Sequence, residues 1–122
     1  MKKILFIEDE PALQRTLTIA LKEAGFDALS AFDGETGLNI AKNEKPDIIL
    51  LDLIIPKMDG FTVLENLKKD ESVKNIPVIV LTNLEATDDV EKVVGLGATT
   101  YLVKANYDIA EIVAKIKEIL GI

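Results

Sequence analysis

Five places in this chain carry side chains able to do chemistry, and each lies just beyond a short apolar run. Glu8, Asp9 and Glu10 follow Ile4 to Ile7; Asp33 follows Ala28 to Ala31, beyond Phe32; Asp52 follows Ile48 to Leu51; Thr82 and Asn83 follow Val78 to Leu81; Lys104 follows Tyr101 to Val103. Carboxylates gathered in one small volume raise each other's pKa unless a cation sits among them, so such a cluster suits a hard divalent ion. Mg2+ fits best, because it binds through one or two carboxylates and keeps waters and phosphate oxygens in its remaining positions. An ammonium and a hydroxyl close by suit a phosphoryl group with two negative charges. The chain has neither His nor Cys, which excludes imidazole bases, thiolate nucleophiles and sulfur-bound metals. An ionised carboxylate attacks phosphorus without a base to activate it, so the missing histidines are no handicap.

These groups meet only if the secondary structure brings them together. Several of the five apolar runs are rich in Ile and Val without polar alternation, and such runs read as strands buried on both faces. Leu13, Leu17, Ala20, Leu21 and Ala24 repeat with helical spacing, as do Ile109, Ile112, Val113, Ile116 and Leu120. Gly25 closes the first of these helices and Asp108 caps the start of the last. The middle helices are punctuated by Asp33-Gly34, Asn43 to Pro46, Met58-Asp59-Gly60, and Gly95 with Gly97. Five βα units in succession predict an α/β domain, a doubly wound five-stranded parallel sheet with five helices. In the flavodoxin-like order 2-1-3-4-5, strands one and three adjoin at the topological switch point, where ligands bind beyond the carboxyl ends. Glu8, Asp9 and Asp52 would then share one crevice, with Thr82 and Lys104 beyond neighbouring strands. Glu10 is assigned to the first helical turn, where acidic groups are favoured.

Composition narrows the functions further. A chain of 122 residues is read as a single domain over 1–122, able to bury roughly two-thirds of its unfolded surface. Fourteen basic against 21 acidic residues leave a net charge of −7, which repels a phosphate backbone and argues against direct nucleic-acid binding. Ile4 to Ile7 is too short for a signal h-region or a membrane span, so a cytoplasmic location and no membrane contact are expected. Ile7-Glu8-Asp9-Glu10-Pro11 is acidic and ends in proline where a nucleotide-binding fold offers a Gly-rich loop, which counts against nucleotide or flavin binding.

The motifs together resemble the receiver domains of bacterial two-component response regulators. The resemblance rests on Ile7-Glu8-Asp9-Glu10, on Leu51 through Gly60, on Leu81-Thr82, and on Gly97 through Lys104, in that order and over essentially the whole chain. It implies a phosphorylation-activated signalling module rather than a turnover enzyme. Asp52 would be the phosphoacceptor, with Glu8, Asp9, Asp52 and the backbone carbonyl of Ile54 holding Mg2+. Lys104 would pair with the phosphoryl oxygens, Thr82 would be the switch hydroxyl, and Tyr101 the aromatic that turns inward after it. A sensor histidine kinase or phosphotransfer protein is implied as donor, because this chain has no histidine of its own to carry the group. A downstream protein would read the face of helix four, strand five and helix five, on a monomer or a weak dimer formed on phosphorylation.

Two other functions compete with this one. One is a receiver-like binding module that works without phosphorylation. The other is a phosphate-ester hydrolase, which would resemble Asp-x-Asp-x-Thr, whereas Ile54 stands two residues beyond Asp52. The chain also departs from the receiver pattern. Ala105 replaces the usual proline after the lysine; a cis bond there would cost about 2.5–4 kcal/mol, so a trans bond is expected. Asn83 replaces a smaller residue and could narrow access to Asp52 or supply its own hydrogen bond. Ile54 and Leu84 stand two beyond the acceptor and two beyond the hydroxyl, positions that in this family flank the path of the attacking water. Neither can hydrogen-bond a water, so a slow loss of the phosphoryl group is expected, with Asn83, whose amide could reach the same region, as the third position that tunes it.

Overall fold

In the computed structural model, which describes residues 1–84 and 86–122, every apolar run is a strand. They are β1 (Lys3–Ile7), β2 (Asp27–Ala31), β3 (Ile48–Leu51), β4 (Val78–Thr82) and β5 (Thr100–Val103). All pair in parallel in the order β2-β1-β3-β4-β5. This is the expected doubly wound order. The helices are α1 (Pro11–Glu23), α2 (Gly34–Glu44), α3 (Gly60–Lys69), α4 (Thr87–Gly95) and α5 (Ile109–Leu120). A single 3-10 turn at Lys104–Asn106 was not expected. It follows β5 at Ala105, and no cis peptide bond occurs among the described residues.

Alternation along each strand splits the core into two layers. Leu5, Ile7, Ile49, Leu51, Val78 and Val80 face α2, α3 and α4 through Leu38, Leu64 and Val93. Ile4, Phe6, Ile48, Leu50, Ile79 and Leu81 face α1 and α5 through Leu17, Leu21, Ile112 and Ile116. All four residues of β3 are fully buried, each contributing roughly 1.5–3 kcal/mol by leaving water. That is why the central run carries no polar alternation.

Helix ends follow their local chemistry. Asp33, Asp59 and Asp108 each accept a hydrogen bond from the third residue of their helix, Thr36, Thr62 and Glu111. Glu111 also returns a bond to the Asp108 N–H, which completes a capping box. Gly25 and Gly97 follow α1 and α4 with φ of +91° and +100°, a region only glycine enters without strain. Glu10 stands at the N-cap of α1, but its side chain makes no capping bond.

Candidate functional site

Strand register alone brings the acidic groups together. Ile7 pairs with Leu51 and the Asp52 N–H donates to the Ile7 carbonyl at 3.0 Å, so Glu8 and Asp52 leave adjacent strands side by side. Thr82 pairs with Val103, which sets Lys104 one residue beyond Thr82 on the neighbouring strand. The crevice at this end has a volume of about 340 Å3 and is lined by Glu8, Asp9, Glu10, Asp52, Ile54, Thr82, Asn83 and Lys104. Seven of these are polar, and Ile54 stands at the mouth with 61% of its surface exposed.

Lys104 organises the floor. Its Nζ lies 2.6 Å from Glu8 Oε2 and 2.9 Å from Asp52 Oδ2. Glu8 Oε1 accepts the Glu10 N–H at 3.2 Å, and Asp52 Oδ1 accepts the Ile54 N–H at 3.3 Å. Burial pushes the Glu8 carboxyl up to about 7, against the opposing hydrogen bond from Lys104 and with a further push from the Asp52 charge. Burial alone would lower Lys104, but hydrogen bonds and charge from Glu8 and Asp52 outweigh it and hold the ammonium above its ordinary value.

One oxygen each from Glu8, Asp9 and Asp52 lies within 4.8 Å of the others, a spacing at which one cation can be shared. The donor set is all hard oxygen and so fits Mg2+. Glu8 and Asp52 are buried while Asp9 is exposed at the rim, so an ion entering from solvent meets Asp9 first. Glu8 and Asp52 are each already held by Lys104 and by one backbone amide, whereas Asp9 is not tied to Lys104.

Beside these charges, Thr82 is fully buried and its Oγ1 finds no hydrogen-bond partner among the described residues. A buried hydroxyl left unpaired costs about 1–3 kcal/mol, so a group arriving at the crevice with free acceptor oxygens relieves a standing penalty. Tyr101 is half-buried, packs on the α2–α4 side of the sheet and donates its hydroxyl to the Leu84 carbonyl. Leu84 itself packs against that core layer and does not line the crevice, while Asn83 does. Of the three positions expected to govern loss of a phosphoryl group, Ile54 and Asn83 face the crevice and Leu84 does not.

Sequence reading missed Gln14. It is 2% exposed, and its Nε2 lies within donating distance of the carbonyls of Phe6, Glu8 and Ala31, at 2.8, 3.1 and 2.9 Å. It ties the end of β1, and so Glu8, to α1 and β2. Its signal was present: Gln14, Leu17 and Leu21 share one helical face at i, i+3, i+7, and a polar residue on a core stripe asks for buried partners.

The response regulator receiver domain family matches this chain over residues 4–117. The DNA-binding dual master transcriptional regulator RpaA of Synechocystis is 41% identical over 120 residues, covering 98% of this chain and 49% of that protein. The transcriptional activator IrlR of Burkholderia pseudomallei is 43% identical over 118 residues, covering 97% and 50%. The chain thus spans about half the length of the curated relatives it matches. A CheY-like receiver domain protein from Methanospirillum hungatei superposes with a TM-score of 0.92 at 26% identity, over 99% of this chain and 94% of that one. No helix among the described residues is long and apolar enough to cross a membrane.

Proposed function

We propose, from the fact that this chain belongs to the response regulator receiver domains, that it accepts a phosphoryl group on Asp52 and thereby changes the surface it offers to a partner protein. The observation that carries this reading is the Asp52 carboxylate at the floor of an acidic crevice, 2.9 Å from Lys104 and beside the Thr82 hydroxyl, which has no hydrogen-bond partner among the described residues. An Asp52 oxygen attacks phosphorus, the bond to the donor's nitrogen or oxygen breaks, and the leaving group takes the electron pair. Mg2+, held by Asp9 and Asp52 with Glu8 and the Ile54 carbonyl, would supply charge neutralisation for the phosphoryl oxygens. Lys104 supplies a second positive charge, and Thr82 donates to an oxygen of the new phosphate. As Thr82 Oγ1 is drawn toward that phosphate, it vacates space beside Tyr101, which on this reading turns inward from the Leu84 carbonyl.

The donor on this reading is a histidine kinase or phosphotransfer protein, and the reader is an effector that meets α4, β5 and α5, with the chain a monomer or a weak phosphorylation-dependent dimer. A cytoplasmic setting belongs to the same reading. The transcriptional relatives make an attached or separate effector of gene expression the natural output. A module independent of phosphorylation is not favoured, since acceptor, lysine, hydroxyl and carboxylates all stand together.

Intact mass after incubation with Mg2+ and acetyl phosphate tests the proposal. One added phosphate is expected on the parent, none on Asp52→Asn, and none with excess chelator. Equal uptake by Asp52→Asn would overturn the assignment.

A further inference from the structure

We propose that Gly34, at the start of α2, is a positioning residue for the loop that carries Asp52 and Ile54. The inference rests on the phosphoacceptor reading above and adds a residue outside the crevice to it.

The segment from Asp52 to Asp59 has little regular structure of its own, yet it must hold a carboxylate and a carbonyl in place. Two glycines grip it. At its far end the Gly60 N–H donates to the Leu53 carbonyl at 3.0 Å, and a Cβ on Gly60 would lie 2.5 Å from Leu53 Cα and overlap the Asp52 carbonyl oxygen. At its outer bend the Gly34 N–H donates to the Pro56 carbonyl at 3.1 Å, and the Met58 N–H reaches the same carbonyl at 2.8 Å. Between them Lys57 turns through a φ of +68°, unusual for a residue with a side chain. A Cβ on Gly34 would overlap the Met58 carbonyl oxygen and come within 2.9 Å of Val63 Cγ2.

Gly34 has no positive φ to justify it, and in the first turn of a helix alanine would be intrinsically better by up to about 1 kcal/mol. The reason for glycine is therefore the approach of the Pro56–Met58 turn. Asp33 adds to the same contact by capping α2 at Thr36 while lying 3.9 Å from Lys57 Nζ. Gly34 does not line the crevice; its influence on Asp52 and Ile54 passes through this loop.

Gly34→Ala tests the inference, with Gly95→Ala as its control. A Cβ on Gly95, at the end of α4, would meet nothing within 4 Å, so it adds the same methyl to a helix without touching the loop or the strands that carry the site. Folding is checked by far-UV circular dichroism, Mg2+ affinity by amide NMR titration, and phosphate uptake from acetyl phosphate by intact mass. Gly34→Ala is expected to weaken Mg2+ binding and slow uptake each by roughly ten-fold or more, toward the roughly hundred-fold that a misplacement of about 1 Å can cost; Gly95→Ala should stay within about two-fold of the parent. A folded Gly34→Ala that matches the parent, or an equal loss in Gly95→Ala, overturns the inference. Should Gly34→Ala not fold, the parent decides: its Gly34 and Met58 amides are expected to shift on Mg2+ addition with the same midpoint as Ile54, and unmoved amides overturn the inference. A parent that takes up no phosphate overturns the phosphoacceptor reading and this inference with it; a parent that does, matched by Gly34→Ala, overturns this inference alone.

Discussion

Glu8 is where burial and charge pull hardest against each other. In the unfolded chain its carboxyl titrates near 4.5, and in the folded one near 7. The folded state therefore binds more protons between those values, and Glu8's contribution to stability is fully present below pH 4.5 and lost as pH rises through 7. For a residue 1% exposed the shift, which already includes the opposing pull of Lys104, corresponds to on the order of 3 kcal/mol. Denaturant unfolding in metal-free buffer should show this decline in the parent and a flatter profile in Glu8→Gln; parallel profiles would show that Glu8 does not titrate in this range. A second prediction concerns the lifetime of the phosphoryl group. Ile54 stands at the mouth and cannot orient a water for in-line attack, so Ile54→Asn should speed decay of the phosphorylated chain several-fold. Leu84→Glu should change it little, because Leu84 packs on the core layer rather than lining the crevice; decay measured by intact mass checks both, and a faster Leu84→Glu would return that residue to the water path. Residue types at strand ends made Asp9, Asp52, Thr82 and Lys104 legible as a group. Their pairing was not, because the Lys104 contacts to Glu8 and Asp52 join β5 to β1 and β3, and no local pattern records which oxygen an ammonium chooses.

At the scale of elements, local chemistry decides how well each helix is anchored. α5 has the Asp108–Glu111 capping box and a continuous apolar stripe, and both could be read from spacing. α4 has Ala86 at its N-cap with no side-chain bond and only Val93 buried, so its limits rest on glycines at one end and little at the other. A lateral tie is the Lys92 ammonium, 4.5 Å from the centre of the Phe61 ring on α3. Two substitutions should therefore move stability in opposite directions: Asp108→Ala lowers it by about 1 kcal/mol, and Ala86→Ser raises it by about 0.5–1 kcal/mol. Thermal unfolding measures both, and a loss of stability in Ala86→Ser would show that the Ala86 backbone is not free to act as a cap. The inner strands β1, β3 and β4 were legible because parallel, doubly covered sheets demand unbroken apolar runs. The edge strands β2 and β5 are only partly buried, against the expectation of burial on both faces, because each has a neighbour on one side only. The 3-10 turn at Lys104–Asn106 was not, since Lys104, Ala105 and Asn106 carry no shared signal and the turn is set by how the chain leaves β5 for α5.

The whole molecule has one sheet between two core layers, and the crevice sits at the carboxyl edge where both layers end. β3 belongs to both layers through alternate residues, Ile49 and Leu51 on one side, Ile48 and Leu50 on the other, so neither layer can open without exposing the strand that carries Asp52. Binding at the crevice is then expected to stabilise the entire fold rather than its rim. The two tyrosines report on the two layers, Tyr101 on the α2–α4 side and Tyr107 on the α1–α5 side, and there is no tryptophan to obscure them. Near-UV and far-UV melting curves should coincide, as expected of a two-state domain. Mg2+ at a hundred times its dissociation constant should shift both together, by about 2.7 kcal/mol or roughly 10 °C. Asp9→Asn removes one of three crowded carboxylates, so in metal-free buffer it should melt slightly above the parent, and in Mg2+ it should lose most of the shift. If Asp9→Asn melts below the parent without metal, the carboxylates are held mainly by Lys104 and backbone hydrogen bonds rather than strained by one another. If the near-UV and far-UV transitions separate as Mg2+ is added, side-chain packing is lost apart from secondary structure and the fold is not two-state, and occupancy of the crevice would reach the α4–β5–α5 face only through local contacts such as the one between Tyr101 and Leu84.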